Sequence, residues 1–211
     1  MSKPLPIETC NDMFGLYLYP EAKEIMETQQ DMTWTAQEIA VEKDKADYLV
    51  TMTPSQYKLA TTTLTTFVEI EQSVGDVWEE IARWYPHSEI EGACIEIARM
   101  EKAVHAFFYQ KMSDTLNINP EDTLKDQEVI VELKGKLELI KSITANLSAN
   151  KPLSLFTVSG IEQVLLFSNF GMLKSFKANG NNLIKNTLLG VDYVINDRHL
   201  SLHREIGGCS L

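Results

Sequence analysis

Long apolar runs are what this sequence most plainly lacks: none of its 211 residues fall in a stretch of about 18 uninterrupted apolar residues, the length of a membrane span. The first twenty residues, MSKPLPIETCNDMFGLYLYP, also lack the apolar core of a secretory leader. Basic charge is scarce. Lys and Arg number 19 against 30 Asp and Glu, a formal net charge of −11 with no basic cluster, which argues against direct binding of nucleic acid or an anionic membrane. Proteins or small ions are the expected partners. The three cysteines, Cys10, Cys94 and Cys209, are widely separated and form no CxxC pair, so they offer neither a zinc site nor a disulfide framework and suit a reducing interior. The expectation is a soluble, cytoplasmic protein without internal repeats or low-complexity tracts.

What is present is helical periodicity. With 44% hydrophobic residues, 211 residues can bury one substantial core, and proline and glycine fall mainly between long segments of helical spacing. The chain reads as all-α and as one domain, with an N-terminal arm over 1–52 that carries Trp34 and a helical core over 53–211. Thr53-Pro54 is a helix start, a hydroxyl N-cap followed by proline at the first helical position, and the pattern runs to Trp84 before Pro86 stops it. Leu64, Phe67, Val68, Glu71, Val74 and Trp78 share one face of it. A second helix is predicted from about Ser88 to Asp114, with Ile97, Ala98, Glu101, His105 and Phe108 stacked at three- and four-residue steps. A more polar helix follows from about Leu124 to Leu147, its inward stripe being Val129, Leu133, Leu137 and Ile140. Leu153 to Ala178 is apolar nearly all round, as a central bundle helix would be, and a last helix starts near Asn182 and continues past Arg204.

Five acidic or histidine positions interrupt these apolar stripes: Glu71, Glu101, His105, Glu162 and His203, spread over four predicted helices. A charged group on such a face is costly unless a partner or metal compensates it. Iron or manganese pairs need carboxylate oxygens to carry and bridge their charge, plus imidazole to fix geometry, and a four-helix bundle can supply both. Glu71 and Glu162 would each be the single carboxylate of one helix. Glu101 and His105 would be the carboxylate–histidine pair of another, though they stand four residues apart where Glu-x-x-His is usual, and Lys102 takes the three-residue place. Four residues is about 40° from eclipsed on an α-helix, so both can still face one site. In the last helix His203 has Leu200 three before it, His199 four before it and Asp197 further back, so one expected carboxylate is missing. Any one of these residues alone is more often a rim residue or salt-bridge partner. Their coincidence at one depth on four separate apolar segments favours a metal site.

These residues together resemble the small, radical-generating subunit of class I ribonucleotide reductase, of a phage-like kind, over Trp34 to His203. The family's W-x-x-x-E-[IV] stretch is matched by Trp34, its carboxylate on the first core helix by Glu71, and its histidine with a tyrosine four residues later by His105 and Tyr109. Its [IL]-E-x-x-x-x-x-x-x-F pattern is matched by Glu162 and Phe170, and its R-D-E-x-x-H by Arg198 and His203. The resemblance implies a ferritin-like helical bundle in which two irons, or manganese and iron, or two manganeses, react with dioxygen and oxidise Tyr109 to a stable radical. It further implies that the oxidising equivalent passes through Trp34 to a cysteine of a separate large subunit, where ribonucleotides are reduced, and that the small subunit is a homodimer. Leu166 and Phe170 would pack around Tyr109 and exclude water.

The departures from the pattern leave three accounts open. Lys102 and Leu200 stand at the two usual glutamate positions, and His199 stands where the family has Asp. An extra residue could displace the frame so that Glu101, with His199 or Asp197, serves; the site could hold fewer metals; or it could hold none, with Lys102 neutralising the buried carboxylates of a metal-free radical protein. Retained metal is the expectation. Family members also continue through further helices to a C-terminal tail, so this sequence is expected to be a shortened or split version, completed by a second polypeptide. Two other readings of the bundle are a metal-binding or scaffold protein that exports no radical, and an interaction module whose polar core is a remnant.

Overall fold

The computed structural model describes residues 19–85, 87–123, 125–147, 151–178 and 183–208; the side chains at 120, 127–128, 143–144, 146–147, 151–156, 159, 161–163, 178 and 198–208 lie outside that description. Among the described residues the secondary structure is helical throughout, without a strand. In chain order the helices are α1 (Pro20–Asp31), α2 (Pro54–Ala82), α3 (Ser88–Arg99), α4 (Phe107–Leu116), α5 (Pro120–Thr123), α6 (Gln127–Leu147), α7 (Lys151–Ala178) and α8 (Lys185–Gly208). The all-α expectation holds.

Local chemistry sets the helix ends. Thr53 caps α2 reciprocally: its hydroxyl accepts from the Gln56 amide at 3.3 Å, while the Gln56 side chain accepts from the Thr53 amide at 2.9 Å, and Pro54 takes the first turn. At the other end of the site-bearing helix, Asn117 adopts the left-handed conformation (φ 54°) that ends α4. The start of α8 is capped from a distance. Both carboxylate oxygens of buried Asp44 accept from Asn186 and Thr187, at 2.6 to 3.2 Å, and Asp47 accepts from the Ile184 amide at 2.7 Å. Those bonds fasten the N-terminal arm to the bundle.

Helix α2 packs against α3, α4, α6 and α7, and α7 against α6 and α8, while α1 lies on α3 and α8. One buried cluster joins Trp34, Ile39 and Val41 of the arm to Leu64, Phe67 and Ile70 of α2, Phe108 and Tyr109 of α4, Leu166 and Leu173 of α7 and Val191 and Val194 of α8. Where α8 crosses α4 the approach is so close that a Cβ on Gly190 would stand 2.0 Å from Phe108 Cζ.

Several details differ from the sequence reading. The arm contains a helix, α1, that its sparse apolar pattern does not announce. The loop after Pro120 begins with a short turn, α5, so α6 starts at Gln127 rather than Leu124, and α8 starts at Lys185 rather than Asn182. Helix α7 does pack centrally against α2, yet its apolar outer face is open: Val164 is 73% and Phe167 78% exposed. Cys94 is buried on α3, whereas Cys10 and Cys209 fall outside the described residues. No helix among the described residues is long and apolar enough to cross a membrane.

Candidate metal centre

The segment joining α3 to α4 resolves the awkward spacing of Glu101 and His105. From Met100 to Ala106 the helix continues as a π turn, so Ser88–Leu116 is one unbroken rod with a wider winding in its middle. A π turn closes i to i+5 and takes up an extra residue, which brings positions four apart closer to one line along the helix than α winding does. Glu101 and His105 accordingly face the same point, and the local frame shift that the sequence left open is present in the backbone.

Glu71 from α2 meets them there. One ligand-type atom from each of Glu71, Glu101 and His105 lies within 4.8 Å of the others, and all three side chains are buried. His105 Nδ1 stands 3.4 Å from Glu101 Oε2 and 3.8 Å from Glu71 Oε2. Its other nitrogen, Nε2, is 3.1 Å from Asp197 Oδ2 on α8. An ionised carboxylate only accepts, so Asp197 makes Nε2 the donor and leaves Nδ1 directed at the two glutamates. Burial by itself would lower the imidazole's pKa, but the Glu101 charge and the imidazole's hydrogen bonds to Asp197, Glu101 and Glu71 outweigh it and hold His105 well above its ordinary value. Three carboxylates, those of Glu71, Glu101 and Asp197, meet one imidazole in this buried site. Two carboxylates and an imidazole with mutual distances this short fit a hard divalent cation.

Asp197 has a second partner that the sequence did not reveal: Trp34 Nε1 donates to the same Oδ2 at 2.8 Å. Trp34 is only 6% exposed and is held by its flanks, since Arg99 donates to Thr33 Oγ1 at 2.6 Å, Lys111 to the Ala36 carbonyl at 2.7 Å, and Glu38 accepts from Thr35 at 2.8 Å. Its ring faces His105 at 6.4 Å with a 30° tilt, and meets Phe108 and Tyr193 edge-on at 5.3 and 5.5 Å. Asp197 was one of two substitute ligands considered for the last helix. In the structure it holds the outer nitrogen of His105 and is not part of the ligand cluster.

Tyr109 is fully buried one turn beyond His105. Its ring is stacked on Phe67 at 4.6 Å with a 10° interplanar angle and touches Phe108 at 5.2 Å. Of the two expected shielding residues, Leu166 is buried in the same core, while the Phe170 ring contacts Phe67 at 5.0 Å. Phe67 was read as one more residue of an apolar face, because periodicity cannot say which ring on that face stacks on the tyrosine.

Lys102 does not act as the sequence allowed. Its ammonium sits 2.6 Å from Asp76 and 2.7 Å from Glu79 on the outer side of α2, and its stem lies across Gly75. Three residues before His105 in a π turn is the wrong side of the helix, so Lys102 is not the counter-charge of Glu71 and Glu101. Glu162 falls in α7 and His203 in α8, but both side chains, with those of Arg198, His199 and Leu200, lie outside the described residues.

No curated protein matches the chain. A family model for "Ribonucleotide reductase, small chain" matches residues 15–209. Among solved structures the chain is similar to one from Bacillus halodurans that is provisionally described as a class I ribonucleotide reductase, with a TM-score of 0.72 and 17% identity over 88% of this chain and 68% of that one. At that identity the likeness is one of fold.

Proposed function

We propose, since the chain belongs to the family of ribonucleotide reductase small chains, that it generates a radical on Tyr109 beside a dimetal centre and delivers it through Trp34 to a separate large chain that reduces ribonucleotides. Glu71, Glu101 and His105 would hold metal, with Glu162 and His203 completing the set from α7 and α8. A bound pair of iron or manganese ions would supply dioxygen activation and the oxidising power to remove an electron and a proton from a phenol.

The chain's own residues do the rest. Phe67 and Phe108 cover the Tyr109 ring and keep water from it. Asp197 keeps His105 oriented with Nδ1 inward, and the same Oδ2 accepts the Trp34 indole proton when that ring is oxidised and returns it on reduction. The single observation that carries this reading is that shared oxygen. A storage or scaffold protein needs no buried hydrogen-bonded link from a metal-ligating histidine to an indole. The outward position of Lys102 weighs against the metal-free alternative, because its ammonium pairs with Asp76 and Glu79 rather than with the buried carboxylates. As the family's name implies a large chain, the partner is a protein carrying a reactive thiol; the small chain itself is a homodimer.

Aerobic reconstitution with iron or manganese, followed by electron paramagnetic resonance, tests the proposal. A tyrosyl signal present in the wild type and in Trp34→Phe but absent in Tyr109→Phe is expected, with nucleotide reduction lost in both variants. A metal-loaded wild type that yields no tyrosyl signal contradicts it.

A further inference from the structure

Helix α7 is apolar on two faces, and the bundle covers only one of them. Val158, Leu165, Leu166, Leu173 and Phe176 are buried in the core, where α7 packs against α2, α6 and α8. On the outside stand Gly160, Val164, Phe167, Gly171 and Lys174, all exposed, at alternating four- and three-residue steps. That spacing is the heptad seam along which one helix packs on another, knobs of one entering holes of the next. Val164 and Phe167 are the knobs. At Gly160 and Gly171 an added Cβ would meet nothing within 4 Å, so both leave room for a side chain from outside. Apolar side chains this exposed and set in such a seam mark a docking surface.

The order of the residues identifies the occupant. Gly160, Val164, Phe167 and Gly171 read small, bulky, bulky, small in either direction, about a midpoint between Leu165 and Leu166. A two-fold interface needs a patch complementary to itself, and a palindromic seam meets that need with the two helices antiparallel. We propose that the outer face of α7 binds the α7 of a second copy of this chain, antiparallel and in register about that midpoint. The radical function above enters only through its expectation that two copies work together. Each Phe167 then lies between Gly160 and Val164 of the other copy, and each Val164 between Phe167 and Gly171. Charge favours the same direction. The two Lys174 ammoniums, each paired with Asp192 of its own α8, stand about 25 Å apart in this register, beyond a screening length of about 10 Å. Parallel helices would set them side by side.

Analytical ultracentrifugation of the full chain as purified tests the seam. Wild type should sediment as a dimer, while Val164→Lys and Phe167→Glu, both at exposed positions, should each fall to half that mass with unchanged circular dichroism. Mixing the two variants should restore the dimer. The antiparallel register sets position 164 of one copy against position 167 of the other, so the introduced charges meet, and so do the unaltered Phe167 and Val164. Gly171→Leu, which fills open space within one chain and favours the helix, should stay folded and also lose the dimer. A monomeric wild type overturns the proposal and leaves this face to a different polypeptide. Single variants that remain dimers, as pairing through another face would give, overturn it too, as does a mixture that stays monomeric. The tyrosyl signal after reconstitution is read separately: its absence sinks the proposed function and leaves the sedimentation result to decide the seam.

Discussion

Replacing Asp197 probes the site at its most connected atom. Its Oδ2 accepts from Trp34 Nε1 at 2.8 Å and from His105 Nε2 at 3.1 Å, all three groups being buried. A hydrogen bond to a charged group contributes about 1.5–3 kcal/mol, and an orphaned buried donor costs about 1–3 kcal/mol. Asp197→Ala breaks two such bonds and leaves the indole N–H dry. Removing one of three carboxylates near His105 offsets part of that loss, so metal-free protein should lose about 3 kcal/mol by urea unfolding. Asp197→Asn is the finer test. If its amide oxygen keeps the Trp34 bond, its NH₂ faces His105 Nε2, which must then accept, and the ring proton moves to Nδ1. That nitrogen faces Glu101 and Glu71. The variant should therefore unfold within about 1.5 kcal/mol of wild type yet bind metal about 10–100-fold more weakly. Asp197→Ala within about 0.5 kcal/mol of wild type, or Asp197→Asn with unchanged metal affinity, would refute the assignment of this oxygen.

Further outcomes follow from the same geometry. Because His105 is raised well above its usual value by Glu101, Asp197 and Glu71 against the pull of burial, its stabilising charge in metal-free protein is fully present below about pH 6.5 and is lost as pH rises through the folded-state value. A pH series of urea midpoints should fall over that window, and metal affinity should rise with release of about one proton per site, read by calorimetry in buffers of different ionisation enthalpy. Gly190→Ala puts a methyl into Phe108 at 2.0 Å and should cost about 1–3 kcal/mol by thermal unfolding while altering Trp34 fluorescence, since α8 must shift away from the arm. Lys102→Met should change stability by less than about 1 kcal/mol and leave metal content unaltered, because the ammonium pairs with partly exposed Asp76 and Glu79 outside the ligand cluster. Loss of metal in that variant would reinstate Lys102 as part of the site.

The fold was legible where sequence chemistry is local. Thr53-Pro54 announces α2 because hydroxyl cap and proline act within one turn, and the buried faces of α2 and α3 follow from period alone. Helix α1 was missed because its apolar positions are few. For the site, Glu71, Glu101 and His105 stood out as polar residues on apolar faces, and they do converge. What the sequence could not carry was the winding between them: no propensity marks Met100–Ala106 as a π turn, yet that turn decides that Glu101 faces inward and Lys102 outward. Asp197 was equally hidden, since counting back from His203 gives its place on α8 but not the two rings, 92 and 163 residues distant in sequence, that share its oxygen. The phenol of Tyr193 reads in sequence as ordinary helix surface.

Metal binding by Glu71, Glu101 and His105 is the premise on which radical formation at Tyr109 depends. Elemental analysis of purified, iron- or manganese-saturated protein should find about two ions per chain in the wild type and a clear fall in Glu101→Ala, with both proteins folded by circular dichroism. A folded wild type that retains no metal at saturation, or a Glu101→Ala protein that retains as much as wild type, contradicts it.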